Sequence, residues 1–202
     1  VAGPGSPKPN YQLRTTDPKK SQQEMLRELQ LSADEFSHLQ GICKKNNVLF
    51  LSTPFDEGSV DLLQELDVPA FKISSGDITH IPLLTHVASF NKPIILSTGM
   101  SNLFEVDQAV QTIQKAGCDK VVVLHCVSEY PADSKDVNLR AMDTMAKAFN
   151  APIGFSDHTE GIQVPLLAAA MGACVIEKHF TLSREFEGPD QQTSLEPDEL
   201  RT

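Results

Sequence analysis

The feature that most constrains this chain is an alternation of two kinds of segment. Short apolar runs, nearly all ending in polar residues, alternate with stretches of helical spacing. The runs cover residues 48–52, 70–74, 93–97, 120–126, 151–155 and 173–179. Between them lie helical stretches such as 60–66, 103–115 and 139–149; in the second, Val106, Val110 and Ile113 recur on one helical face. Upstream, residues 21–30 read as a short amphipathic helix. Ser32-Ala33-Asp34-Glu35 is a capping box that opens another, with Phe36, Leu39 and Ile42 on one side. The first ten residues, rich in Gly and Pro, read as a loop. Strands alternating with helices imply right-handed βαβ crossovers and a parallel sheet covered on both faces.

Six strands suit either an open doubly wound sheet or most of an eight-strand barrel. The first alternative needs a Gly-rich phosphate turn after its first strand, and Ser52-Thr53-Pro54-Phe55 supplies none. The barrel has the better support. Polar clusters end nearly every strand: Ser52-Thr53, Ser74-Ser75-Gly76-Asp77, Ser97-Thr98-Gly99, His125 to Tyr130, Ser156-Asp157-His158 and His179. In a (β/α)8 barrel the active site gathers at those strand ends. The expected fold is therefore an α/β TIM barrel with two strands unaccounted for.

At 202 residues and 40% hydrophobic, the chain can bury a sizeable core as one domain. Its first residue is not Met, and it stops at Glu196-Pro197-Asp198-Glu199-Leu200, which reads as the first turn of a helix; both suggest a piece of something longer. No stretch approaches the roughly 18 apolar residues of a membrane span, and no signal peptide opens the chain. A net charge of −10 argues against nucleic acid as a partner. Cys43, Cys118, Cys126 and Cys174 lack metal-ligand spacing, and Cys126 and Cys174 sit in apolar runs as small buried hydrophobes. A reducing, cytoplasmic setting fits.

Two features carry chemistry. His158 and His179 end consecutive strands, which lie about 4.8 Å apart in a parallel sheet. They either share one divalent ion, with positions left for water, carboxylate or substrate, or are two unrelated histidines. Lys72 lies mid-strand in Ala70-Phe71-Lys72-Ile73-Ser74, and a buried lysine is costly unless paired. Its partner is either a substrate phosphate or carboxylate, or an internal acid such as Glu177, which shares a face with His179. The strand-end Ser and Thr residues are either ordinary turn residues or hydroxyl and backbone donors to phosphate. Asp77 and Asp190 are candidate acid/base or hydroxyl-binding carboxylates. His38, His80 and His86 read as surface residues, and His125 as a satisfied core histidine.

Taken in order, these strings resemble the sialic acid synthase family, which makes N-acetylneuraminate and related nonulosonic acids. The strings are Phe50-Leu51-Ser52-Thr53-Pro54-Phe55, Phe71-Lys72-Ile73-Ser74-Ser75-Gly76-Asp77 and Ile95-Leu96-Ser97-Thr98-Gly99-Met100. They continue with Leu124-His125-Cys126 to Tyr130-Pro131, Gly154-Phe155-Ser156-Asp157-His158-Thr159, Glu177-Lys178-His179-Phe180-Thr181 and Gly188-Pro189-Asp190. The resemblance implies a barrel that condenses phosphoenolpyruvate with an N-acetylated hexosamine, such as N-acetylmannosamine or its 6-phosphate. A divalent ion, Mn²⁺ or Mg²⁺, on His158 and His179 would polarise the open-chain aldehyde for attack by C3 of phosphoenolpyruvate. Water then adds at C2, and phosphate leaves with C–O cleavage.

By the same resemblance, Thr53, Lys72, Ser75, Ser97 and Ser156 match phosphoenolpyruvate ligands, and Ser128 stands where members often carry Asn. Asp77 matches a carboxylate near the reacting centre, and Tyr130 and Asp190 match sugar contacts. The family's first two strands carry an Ala-Glu-Ile-Gly-type motif with a catalytic Glu and a Lys-Phe-Gln motif, neither of which occurs here; nor does its C-terminal antifreeze-like domain. The expectation is that residues 1–202 span strands three to eight of the barrel, without the first two βα units, and are inactive alone. The full-length protein would be a homodimer. Pseudaminate, legionaminate or spore-coat polysaccharide synthesis, and a non-catalytic metal- or phosphate-binding remnant, are the alternatives.

Overall fold

A computed structural model describes Gly3 and residues 5–202. Three helices come first: α1 (Asn10–Thr15), α2 (Gln22–Leu29) and α3 (Ala33–Lys45). Then α4 (Glu57–Glu65) leads into a regular alternation. β1 (Phe71–Ile73), α5 (Ile81–Ser89), β2 (Ile94–Ser97), α6 (Leu103–Lys115) and β3 (Val121–Cys126) are followed by α7 (Ala141–Ala148), β4 (Ile153–Asp157), α8 (Gln163–Ala170), β5 (Ile176–Lys178) and α9 (Pro197–Arg201). The strands form one parallel sheet in the order β1-β2-β3-β4-β5. Each neighbour in sequence is a neighbour in space, which is the connectivity of a barrel wall and not of a doubly wound sheet.

The helix ends follow local chemistry. Ser21 with Glu24, Ser32 with Glu35 and Asn102 with Glu105 form reciprocal capping boxes that open α2, α3 and α6. Each such cap contributes about 1 kcal/mol. Past the C-termini of α3, α5, α6 and α8, the chain turns through Asn47, Asn91, Gly117 and Gly172 at positive φ. Asn and Gly tolerate that left-handed geometry with least penalty. The final residues close as the helical turn expected of Glu196-Pro197-Asp198-Glu199.

The register divides the sheet into two chemically different faces. Phe71, Ile73, Ile94, Leu96, Val121, Val123, Ile153 and Phe155 point one way and join the helices in one apolar core. Val60, Leu63, Leu83, Leu84, Val87, Val106, Ile113, Met142 and Met145 meet them from α4 to α7. Alternation then sends Lys72, Ser97, Leu124, Cys126, Gly154, Ser156 and Glu177 to the opposite face.

Three expectations need correction. Residues 48–52 form no strand: their backbone joins no ladder, and Val48 and Leu49 are 58% and 75% exposed. An apolar run becomes a strand only where a neighbour pairs with it, and here only Phe50 packs inward, edge-on to Phe36 at 6.1 Å. Among the described residues the sheet accordingly has five strands, with β1 and β5 as its edges. Second, Cys174 is exposed, because it precedes the edge strand β5, whereas Cys118 and Cys126 are buried. Third, the loop expected over the first ten residues ends at Asn10, where α1 begins; Val1, Ala2 and Pro4 lie outside the described residues. Helices α5 and α8 continue the expected alternation between β1 and β2 and between β4 and β5. Among the described residues no helix is long and apolar enough to cross a membrane.

Gly154 lies opposite Leu124, where β3, β4 and the chain entering β5 converge. A Cβ there would lie 2.5 Å from Leu124 Cδ2 and 2.6 Å from the Val175 carbonyl oxygen, which accepts from Phe155 N. Gly154→Ala should therefore lower stability by about 1–3 kcal/mol. Urea denaturation would show this as a reduced midpoint; an unchanged midpoint would mean that the strands separate without cost.

Candidate active site

The polar face concentrates its functional groups at the strand C-termini. Lys72 is buried, and its Nζ donates to Ser97 Oγ at 2.7 Å and to the Ile73 carbonyl at 2.9 Å. Glu177 Oε1 stands 3.7 Å from the same Nζ and accepts from Ser156 Oγ at 2.7 Å. Of the two partners considered for Lys72, the internal acid is thus in place. Burial lowers the Lys72 pKa, and the Glu177 charge offsets part of that effect. An ammonium and the Ser156 hydroxyl meet on the Glu177 carboxylate, with Ser97 holding the ammonium from the other side, and together they make a cradle suited to an oxyanion.

The cradle continues along β2 and β3. Gly99 N donates to Ser75 Oγ at 2.9 Å. A Cβ on Gly99 would come within 2.2 Å of Ser128 Oγ and 3.0 Å of Ser75 Oγ, so this position admits only glycine without displacing its neighbours. Cys126 is buried beside them, with Sγ 3.8 Å from His158 Nδ1. Burial pushes the Cys126 thiol up, but His158, Ser75 and Ser156 together hold its pKa below the usual thiol value. Asp77 lies in the 3-10 turn Ser75–Asp77 after β1, half-buried, and burial raises its carboxyl pKa. Thr53 is half-buried on the unpaired 48–54 segment, and no hydrogen bond ties it to this group.

His158 and His179 stand together at the ends of β4 and β5, their ring centroids 5.3 Å apart. His158 Nδ1 lies 2.6 Å from the Val127 carbonyl oxygen. A carbonyl only accepts, so Nδ1 carries the proton and Nε2 keeps its lone pair for a ligand. The Tyr130 ring packs 4.1 Å from His158 and 5.7 Å from His179, and Tyr11 of α1 stacks on Tyr130 at 5.3 Å. Burial raises the Tyr130 hydroxyl pKa. Asp190 closes the group: burial raises its pKa, against the pull of His179 and His158. Its Oδ1 is buried with no hydrogen-bond partner among the described residues.

A divalent ion fits this chemistry in part. Two imidazoles and a buried carboxylate oxygen are donor types suited to such an ion. Among the described residues no group of three or more His, Cys, Asp or Glu is arranged to hold an ion unaided. The protein's share would be the histidine pair, with substrate and water completing the sphere.

The structure brings together Lys72, Ser75, Ser97, Ser128 and Ser156 in one cluster, and Tyr130, His158, His179 and Asp190 in another. Asp77 sits beside the first, and Thr53 stands apart. His125 is the satisfied histidine expected, half-buried with Nε2 donating to the Val137 carbonyl at 2.7 Å. His86 is on the surface, paired with Asp61 at 2.8 Å. Cys126, Gly99 and Tyr11 belong to the site without having been singled out. Gly99 had a signal, a glycine directly after Ser97-Thr98; six-residue α1 shows no apolar periodicity and gave none for Tyr11.

Residues 2–202 match the sequence model of the NeuB family. The N,N'-diacetyllegionaminic acid synthase of Campylobacter jejuni is 50% identical over 193 residues, 95% of this chain and 58% of that protein. Its namesake from Legionella pneumophila is 46% identical over 198 residues, 96% of this chain and 56% of that protein. The solved N-acetylneuraminic acid synthetase of Leptospira borgpetersenii superposes with a TM-score of 0.86 at 38% identity, covering 94% of this chain and 66% of that one. The chain thus spans a little over half the length of the relatives it matches in sequence.

The cradle makes a paired expectation. In the full-length protein, Lys72→Met should weaken inorganic phosphate binding by about tenfold or more, the worth of a hydrogen bond to a charged group. Glu177→Gln, which removes the competing charge, should tighten it. Calorimetric titration reads both, and equal affinities in all three proteins would remove the cradle as an anion site.

Proposed function

The chain belongs to the NeuB family, and on that premise we propose that the full-length protein condenses phosphoenolpyruvate with an N-acetylated hexosamine to give a nonulosonic acid and phosphate. The observation that carries this reading is the adjacency, on one sheet face, of an oxyanion cradle and a histidine pair. The first suits a phosphorylated donor, and the second faces the aromatic and carboxylate groups suited to a sugar.

The atoms balance as follows. C3 of phosphoenolpyruvate bonds to the sugar's aldehyde carbon, and a water oxygen adds at C2. The C2–O bond breaks, so the bridging oxygen leaves with phosphate. In this reading Lys72, Ser75, Ser97 and Ser156 hold the phosphoryl oxygens, Ser128 and Thr53 line the donor's side, and Glu177 yields its place to the incoming anion. Asp77 positions the water or takes its proton; its burial-raised pKa favours that exchange. Tyr130 and Asp190 hold the acceptor, the orphaned Asp190 Oδ1 receiving a sugar hydroxyl. Mn²⁺ or Mg²⁺ on the imidazoles of His158 and His179 would supply Lewis-acid polarisation of the aldehyde.

A specific observation bears on the acceptor. Two relatives, at 50% and 46% identity, are N,N'-diacetyllegionaminic acid synthases. Subtracting the three carbons of phosphoenolpyruvate from such a nine-carbon acid leaves a hexose with two acetamido groups. That sugar therefore stands beside N-acetylmannosamine as the substrate to test. The reading is completed by a homodimer in a reducing cytoplasm, which accords with four free cysteines.

Phosphate release by the full-length protein, with phosphoenolpyruvate, Mn²⁺ and each sugar in turn, tests the proposal. The expected result is release only when an acceptor is present, with bridging ¹⁸O recovered in the phosphate. Absence of release with every N-acetylated hexosamine would exclude the synthase and leave the non-catalytic remnant. His158→Ala and His179→Ala should each abolish turnover along with Mn²⁺ binding.

A further inference from the structure

On the helix-facing side of the sheet, immediately behind the two histidines, lies a polar cluster that the chemistry above does not use. Asp157 and Lys178 are direct partners across the β4–β5 ladder. Asp157 is fully buried, and the Lys178 side chain is 8% exposed. Their charged atoms meet at 2.6 Å. Asp157 Oδ1 also accepts from Thr159 N at 3.0 Å and from Thr159 Oγ1 at 2.9 Å. That is an Asx-turn, a carboxylate bonding to the backbone two residues on, and its middle residue is His158. Lys178 Nζ donates to Asp157 Oδ2 and to the Thr159 carbonyl. A single ammonium therefore grips both flanks of His158, while the residue after Lys178 is His179.

We propose that Lys178, with Asp157, is the positioning device that sets the separation and aim of the His158–His179 pair, and so the affinity of the site for a divalent ion. This rests on the metal reading above and adds residues that touch neither ion nor substrate. The geometry favours such a role over simple cohesion. A buried ion pair contributes little net stability relative to an apolar pair of similar size, because desolvating two charges offsets their attraction. An apolar pair could close the same space, but it could bond neither the Thr159 amide nor the Thr159 carbonyl, and the turn presenting His158 would lose its tie to β5. Other restraints exist: His158 Nδ1 donates to the Val127 carbonyl at 2.6 Å, Ala132 N donates to the His158 carbonyl, and Leu195 N donates to the His179 carbonyl, the last two at 2.9 Å. Those bonds attach His158 to the loop after β3 and His179 to the segment before α9, whereas Lys178 joins the strand that carries His158 to the strand that carries His179.

The test uses full-length protein and Mn²⁺ alone, followed by calorimetry. Lys178→Met should weaken Mn²⁺ binding about 10- to 100-fold, the range for groups that orient metal ligands. Inorganic phosphate, which reads the Lys72 cradle, should bind as before, and Lys178→Arg should restore much of the Mn²⁺ affinity. Because Lys178→Met strands a buried carboxylate, the double variant Asp157→Asn/Lys178→Met serves as the folded control and should also bind Mn²⁺ weakly. Native Mn²⁺ affinity in the double variant would overturn the proposal and reduce the pair to packing. If the unaltered protein binds no Mn²⁺, the metal reading fails by itself. The metal-free crystal structure of the double variant then decides: displaced imidazoles support the positioning role, and rings still 5.3 Å apart end it.

Discussion

Parallel pairing of β4 with β5, one residue against one residue, is the constraint on which the rest of the site depends. The register sets Ser156 beside Glu177 and Asp157 beside Lys178, and the residues that follow the two strands are His158 and His179, with ring centroids 5.3 Å apart. Three successive cross-strand pairs thereby acquire three different settings. The first joins the oxyanion cradle, the second is locked behind the sheet, and the third presents two imidazoles to the open side. A slip of one residue would exchange the faces. If β5 slipped against β4, His179 would turn toward the helices and Lys178 would enter the site, leaving Asp157 unpaired behind the sheet.

The helix-facing side makes that register costly to lose. Phe71, Ile73, Ile94, Leu96 and Phe155 are almost wholly excluded from water against α4 to α7. Each fully buried side chain of this kind contributes about 1.5–3 kcal/mol, so a shift that exposed several of them would cost more than a typical domain's net stability. The apolar face in this way fixes the geometry of a polar face with little cohesion of its own. Gly99 and Gly154 mark where the polar face is tightest: a Cβ at Gly154 would meet the Val175 backbone, and one at Gly99 would displace the Ser128 hydroxyl.

Most of the sheet was legible in the sequence because period-two alternation and strand-end polar clusters are local signals. The capping box at Ser32 located a helix start for the same reason. The failures have a common physical origin: they depend on neighbours. Residues 48–52 have an apolar run but no ladder partner, and Cys174 is exposed because β5 is an edge. The candidate site divides in the same way. His158, His179, Lys72 and the strand-end serines were visible from their positions on strands. The Tyr11–Tyr130 stack, which joins residues 119 positions apart, and the grip of Lys178 on Thr159 exist only in three dimensions.

The central claim is that one sheet face holds a donor's phosphate and a catalytic ion side by side. A crystal structure of the full-length protein with Mn²⁺ and phosphoenolpyruvate tests it most directly, using the anomalous signal of manganese to locate the ion. The account predicts one manganese peak bridging His158 and His179, with the phosphate on Lys72, Ser97 and Ser156 and Glu177 displaced from Lys72. Manganese away from the histidine pair, or phosphate bound elsewhere while Glu177 keeps its contact with Lys72, would contradict it.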